Sequence, residues 1–119
     1  MGKSIAGEKS YRFAIRIVKL YKLLTDEKRE YVLSKQLLRS GTAIGALLKE
    51  AEHAQSKPDF LSKTNIALKE ANETLYWLML LKDTDFISQK EFESINSDAE
   101  ELVKMLVSTV KTTKTRLKQ

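Results

Sequence analysis

The sequence predicts an all-α fold: a single domain over residues 1–119, arranged as an antiparallel up-down-up-down four-helix bundle. Apolar residues recur at helical spacing in four successive segments. The breaks between these segments are short and polar, which forces neighbouring helices antiparallel. With 42% apolar residues, four Gly and one Pro, the composition suits a helical globular chain rather than a disordered one.

The first helix is expected over about residues 10–24. Phe13, Ile17, Leu20 and Leu24 lie on one stripe, which Ala14, Val18 and Tyr21 widen. Thr25 or Asp26 is placed to cap a second helix over about 27–54, carrying Leu33, Leu37, Ile44, Leu48 and Ala51. Gly41 and Gly45 lie four apart inside it. Each costs up to about 1 kcal/mol against Ala, an expense that close approach of a neighbouring helix would offset. Arg39, Lys49 and Glu50 stand too near for a membrane-type glycine motif.

The third helix, about 57–82, opens with Ser56 as N-cap, Pro58 in the first turn and Asp59 at N3. Phe60, Ala67, Ala71, Leu75 and Leu78 are expected inward. The fourth, about 89–116, has the clearest start: Ser88 and Glu91 form a capping box, with Ile87 and Phe92 as a hydrophobic staple. Phe92, Ile95, Ala99, Leu102, Leu106 and Val110 then make its stripe.

One stretch exceeds what a bundle needs. Leu75 to Leu81 are seven consecutive apolar residues and cover the whole helix circumference, where a core requires a stripe about 100° wide. Seven residues cannot cross a bilayer, which takes about 20. Another copy of the chain is the simplest partner, with Gly41, Gly45, Tyr76, Trp77 and Leu81 as the expected contact residues.

Catalytic chemistry finds little footing, and no enzyme is expected. There is no Cys, which excludes disulfides and thiolate metal sites, and no Gly-rich phosphate loop or nucleophile elbow. A bundle di-metal site needs two Glu-x-x-His pairs. Glu50-Ala-Glu-His53 supplies one and Glu70-x-x-Glu73 lacks its histidine, because His53 is the only one. No metal, cofactor or small-molecule substrate is expected. Arg39 reads as a structural ion pair with Glu50 or Glu73 rather than a ligand-binding group. Gly2 begins a myristoylation-like start that fails at Ala6, and no secretory segment is visible, so a cytoplasmic protein without membrane attachment is expected.

Charge is unevenly distributed. Residues 1–24 carry a net +5, six bases against Glu8, and residues 104–119 carry +5 with no acid. The stretch between them is −5, with Asp83, Asp85, Glu91 and Glu93 expected at the opposite pole. The bundle should therefore be an electric dipole with one basic rim, formed by Lys9, Arg12, Arg16, Lys19, Lys111, Lys114 and Lys118. These are the candidate nucleic-acid-binding residues.

Tyr31 to Ala51 with its Gln36-Leu-Leu-Arg-Ser40 element, Ala54 to Phe60, Ala67 to Ala71, and Glu73 to Leu78 resemble the bacterial four-helix bundle proteins encoded in intervening sequences of 23S rRNA genes. The family includes the accessory variability determinant of diversity-generating retroelements. The resemblance implies a homopentamer, and a nucleic-acid role involving RNA or DNA and, for the retroelement relatives, a reverse transcriptase. Leu47 stands where many members have Asn, and Ala51 where many have Gly. The expected protein is a non-enzymatic homo-oligomer that binds nucleic acid through its basic pole. The alternative is a protein-interaction scaffold without nucleic-acid affinity.

Overall fold

Helix ends set the architecture. In the computed structural model, which describes residues 4–119, the four helices are α1 (Ile5–Asp26), α2 (Leu33–Ala51), α3 (Lys57–Asp83) and α4 (Gln89–Leu117). Gly2 and Lys3 lie outside the described residues. α1 begins at Ile5 rather than Ser10, because Ser4 is the cap: its hydroxyl accepts the Gly7 amide at 2.8 Å.

α2 starts later than its pattern suggests. Arg29 sits in the left-handed region at φ 54°, which ends the preceding helical path. The Glu30 carboxylate then accepts the backbone amides of Val32, Leu33 and Ser34, covering the free N–H groups of the first turn. Thr25 donates back to the Tyr21 carbonyl at 3.0 Å and stays part of α1, so the cap expected there is not used. α2 also stops at Ala51 rather than Ala54, in a turn closed by the His53 amide on the Glu50 carbonyl at 3.1 Å.

The other two helices begin where their caps predict. Ser56 accepts the Asp59 amide at 3.2 Å, and Asp59 accepts the Gln55 amide at 3.2 Å. Ser88 and Glu91 form the reciprocal box, at 3.1 and 2.9 Å. α3 ends in a Schellman-type closure, Phe86 amide to Leu81 carbonyl at 2.9 Å, with Asp85 left-handed at φ 66°.

α1 packs on α2, α2 on α3, α3 on α4 and α4 on α1, so α1 and α3 occupy diagonal corners. Cross-pairs run in opposite numerical directions: Lys9 meets Glu101 while Arg16 meets Asp98, and Arg39 meets Glu70 while Lys63 meets Glu50. These pairings are those of antiparallel neighbours. The α1 start and α4 end therefore share a pole with the α2–α3 turn. The molecule measures 51 × 21 × 20 Å.

Phe13, Ile17 and Leu24, Leu37 and Ile44, Leu78 and Leu81, and Leu102 and Leu106 fill the centre, with Ala67, Ala71 and Ala99 where helices come close. Phe60, Leu75 and Phe92, expected inward, are only half-buried, and Val18 is exposed. Ser40 and Thr74 are wholly buried and hydrogen-bond to each other at 3.0 Å across α2 and α3, which spares two hydroxyls the cost of unpaired burial. Leu47 packs against this core and Ala51 is inside it, so both positions that depart from the resembled pattern serve burial within the chain. The buried Trp77 indole nitrogen has no acceptor among the described residues.

Candidate nucleic-acid interface and subunit face

The apolar run divides as helical geometry requires. Leu78 and Leu81 are fully buried, Leu75, Trp77 and Leu80 are half-buried, and Tyr76 and Met79 stand out at 54% and 48% exposure. Leu81 is thus a core residue rather than the contact residue expected. Trp77 is held edge-on by the Tyr76 ring, centroids 5.1 Å apart. Of the expected contact residues on α3, Tyr76 alone is openly displayed.

The glycine face is also spoken for. A methyl group at Gly41 would meet Ile17 at 2.8 Å, and one at Gly45 would meet Ser10 Oγ at 3.3 Å. The close approach inferred from their spacing exists, but the approaching helix is α1 of the same chain. Gly41 is buried under α1, whereas Gly45 packs against α1 and stays half-exposed beside it.

A second apolar stripe was missed. Tyr11, Ile15 and Val18 follow one another at i, i+4 and i+7 along the outer side of α1 and are exposed. Their spacing matches a core stripe, so periodicity assigned Val18 inward. Beside them an open groove of about 740 Å3 runs between α1 and α2 over Tyr11, Ala14, Thr42, Gly45 and Ala46. Ile66 adds to the exposed apolar surface of α3.

The expected basic rim does not assemble as one patch. Lys9 is paired with Glu101, and Arg16 donates to Asp98 at 2.7 Å and to Ser94 Oγ at 2.9 Å. Both side chains bridge the α1–α4 seam instead of facing outward alone. Lys19 lies in a groove with Lys90 and Glu91, at the start of α4, whereas Lys118 caps its end. Between Lys90 and Lys118 α4 runs about 42 Å. Lys19 therefore belongs to the other half of the molecule, and with Lys22, Lys28, Arg29 and Lys90 it offsets the acids there.

What remains basic is the end of α4. Lys111, Lys114, Arg116 and Lys118 are exposed and make no ion pair among the described residues. Arg12 is likewise exposed and unpaired, nearer this pole than Lys19. Lys57 adds a cation from the α3 start. Glu8, Glu52 and Asp59 are the acids nearest this pole, and none of them pairs with these cations among the described residues.

Arg39 does form a structural ion pair, bridging Glu73 and, at 3.2 Å, Glu70. Glu50, its alternative partner, instead meets Lys63 at 3.6 Å. The antiparallel register decides this, since it sets Arg39 opposite the Glu70–Glu73 turn. Among the described residues no three of His, Asp and Glu gather so as to hold a metal ion. No described helix is long and apolar enough to cross a membrane. Glu91 is held below its ordinary value near 4.5, first by the Ser88 backbone amide, then by the Ser88 hydroxyl, with Lys28 adding to the effect.

Residues 3–108 match the model of a family described as 23S rRNA-intervening sequence protein. No curated protein matches the chain. A crystal structure of a protein of unknown function, from the S23 ribosomal protein family of Bacteroides thetaiotaomicron VPI-5482, superposes with a TM-score of 0.89 at 57% identity, covering 90% of this chain and 99% of that one. Neither description names a catalytic activity.

Proposed function

The chain belongs to the 23S rRNA-intervening sequence protein family, and on that premise we propose that it is a non-enzymatic cytoplasmic protein that assembles into a ring of like subunits and binds RNA or DNA through the α4 pole. The observation that carries this reading is the run of four exposed cations, Lys111, Lys114, Arg116 and Lys118, on the last turns of α4, with no ion pair to any of them among the described residues and no acid in residues 104–119. Such a cluster neutralises phosphates and releases their counterions, whatever the base sequence.

The placement of the two apolar faces supports the ring. Tyr76 and Met79 on α3, and Tyr11, Ile15 and Val18 on α1, sit at diagonal corners of the bundle and so face away from each other. A two-fold dimer would cover one face of each subunit and leave the other wet. Packing the α3 face of one copy on the α1 face of the next covers both, and such a head-to-tail contact forms a ring when its rotation closes. Five subunits is the number the family resemblance implies. Cyclic symmetry brings every α4 pole to the same rim.

Fluorescence anisotropy with a short single-stranded RNA at about 50 mM salt tests the binding. Lys111→Glu with Lys114→Glu should abolish it, while Lys19→Glu with Lys22→Glu, at the far pole, should leave most of it. Absence of binding by the parent protein would leave the scaffold reading instead.

A further inference from the structure

The basic pole contains a cleft that sequence spacing could not show. It has a volume of about 410 Å3 and lies between the α2–α3 turn and the last turns of α4. Lys57 and Arg116 enter its lining from opposite helices, and neither makes an ion pair or hydrogen bond among the described residues. Ser108 and Thr112 line it as well, and neither hydroxyl makes a hydrogen bond among the described residues. This is unusual company on α4, where Thr109, Thr113 and Thr115 all donate back to the helix carbonyls.

One carboxylate stands at the lip. Glu52 is shared with the groove on the α1–α2 side and is met by Lys49 at 3.5 Å. The cleft thus presents two free cations and two free hydroxyl donors to one opening, with its single acid compensated. Four unspent donors of this kind suit an anion with several acceptor oxygens.

We propose that this cleft is a phosphate seat, in which Lys57 and Arg116 supply the charge and Ser108 and Thr112 donate hydrogen bonds to a phosphoryl group. A phosphoryl group could come from a nucleic-acid strand or from free phosphate. The strand rests on the function proposed above; the seat itself does not. On a strand, the seat would place one phosphate, and Lys111, Lys114 and Lys118 would take its neighbours.

Isotope-labelled protein titrated with inorganic phosphate, against chloride at matched ionic strength, tests the seat directly by amide shifts. Phosphate should move the amides of Lys57, Ser108, Thr112 and Arg116, and chloride should not. Lys57→Ala with Arg116→Ala should weaken phosphate at least about tenfold, the loss expected when charge-assisted contacts are removed. Thr112→Val, which keeps shape and removes the hydroxyl, should weaken it less, and Lys19→Ala should change nothing. Equal shifts with chloride, or phosphate affinity untouched by the double variant, would overturn the seat.

A short single-stranded RNA separates the two sources. If RNA displaces phosphate from these amides, the seat serves a strand. If phosphate binds and RNA does not, the seat stands for free phosphate and the nucleic-acid reading fails. If RNA binds with no phosphate shift and the double variant is unaffected, the nucleic-acid reading stands and the seat is overturned.

Discussion

Gly41 has no room for a methyl group. Its nearest neighbours, at 2.8 to 3.1 Å, are carbons of Ile17, a β-branched side chain fully buried and stiff about its first torsion. Gly41→Ala should therefore lower stability by about 1–2 kcal/mol, overpacking outweighing the gain in helix propensity. Gly45 faces Ser10 at 3.3 Å, where a small adjustment suffices, so Gly45→Ala should be close to neutral. Thermal unfolding of the two variants checks the contrast, and equal losses would count against it. At the α4 start, Ser88→Ala should cost about 1 kcal/mol, or roughly 4 °C in Tm. Glu91 contributes to the pH dependence. Its pKa is lowered on folding, so its contribution is present above the unfolded value and fades as pH falls through the folded one. Glu91→Gln keeps an acceptor for the cap without titrating, and should flatten this part of the stability–pH curve below about pH 5. A curve of unchanged shape would show the capping charge to be immaterial.

Among elements, α3 holds two kinds of apolar residue that only packing distinguishes. Tyr76→Glu with Met79→Glu changes exposed positions, so circular dichroism should stay helical while sedimentation reports smaller species. Leu81→Glu buries a charge in the core, at a cost of several kcal/mol, and should unfold the chain instead. A parent protein already monomeric at micromolar concentration would remove the case for an α3 contact. The α1–α4 seam behaves differently. Its ion pairs, Lys9 with Glu101 and Arg16 with Asp98, have side chains 40–53% exposed, so each contributes about 0–1 kcal/mol.

At the scale of the whole molecule, assembly and binding should be coupled. A ring multiplies the α4 pole, and a strand held by one subunit meets the next at high effective concentration. The Tyr76→Glu, Met79→Glu protein should accordingly bind RNA at least about tenfold more weakly than the parent, although both changes lie away from the cations. Anisotropy across about 50–200 mM salt should give a log–log slope near −0.7 per phosphate contacted on a single strand. The assembly-deficient variant should show the shallower slope. Identical affinities and slopes would mean that each bundle binds alone.

Local chemistry was enough for much of this protein. The α3 and α4 starts were legible because Ser56, Pro58 and Asp59, and Ser88 with Glu91, act within one turn of chain and need no distant partner. The number and order of helices were legible too, since apolar periodicity is a property of each segment. The α2 start was not, because a buried Glu30 and a left-handed Arg29 replaced the usual small polar cap. Nor could spacing tell that α1 is the helix packed against Gly41 and Gly45, or that Val18 faces out while Leu81 faces in. A helical stripe has the same period whether it meets its own bundle or another copy. Charge showed the same limit: sequence counted the cations correctly, but the antiparallel register matched Lys9 and Arg16 with acids, carried Lys19 to the far half, and brought Lys57 to Arg116. Such pairings join residues 59 to 92 positions apart, and only the packed bundle determines them.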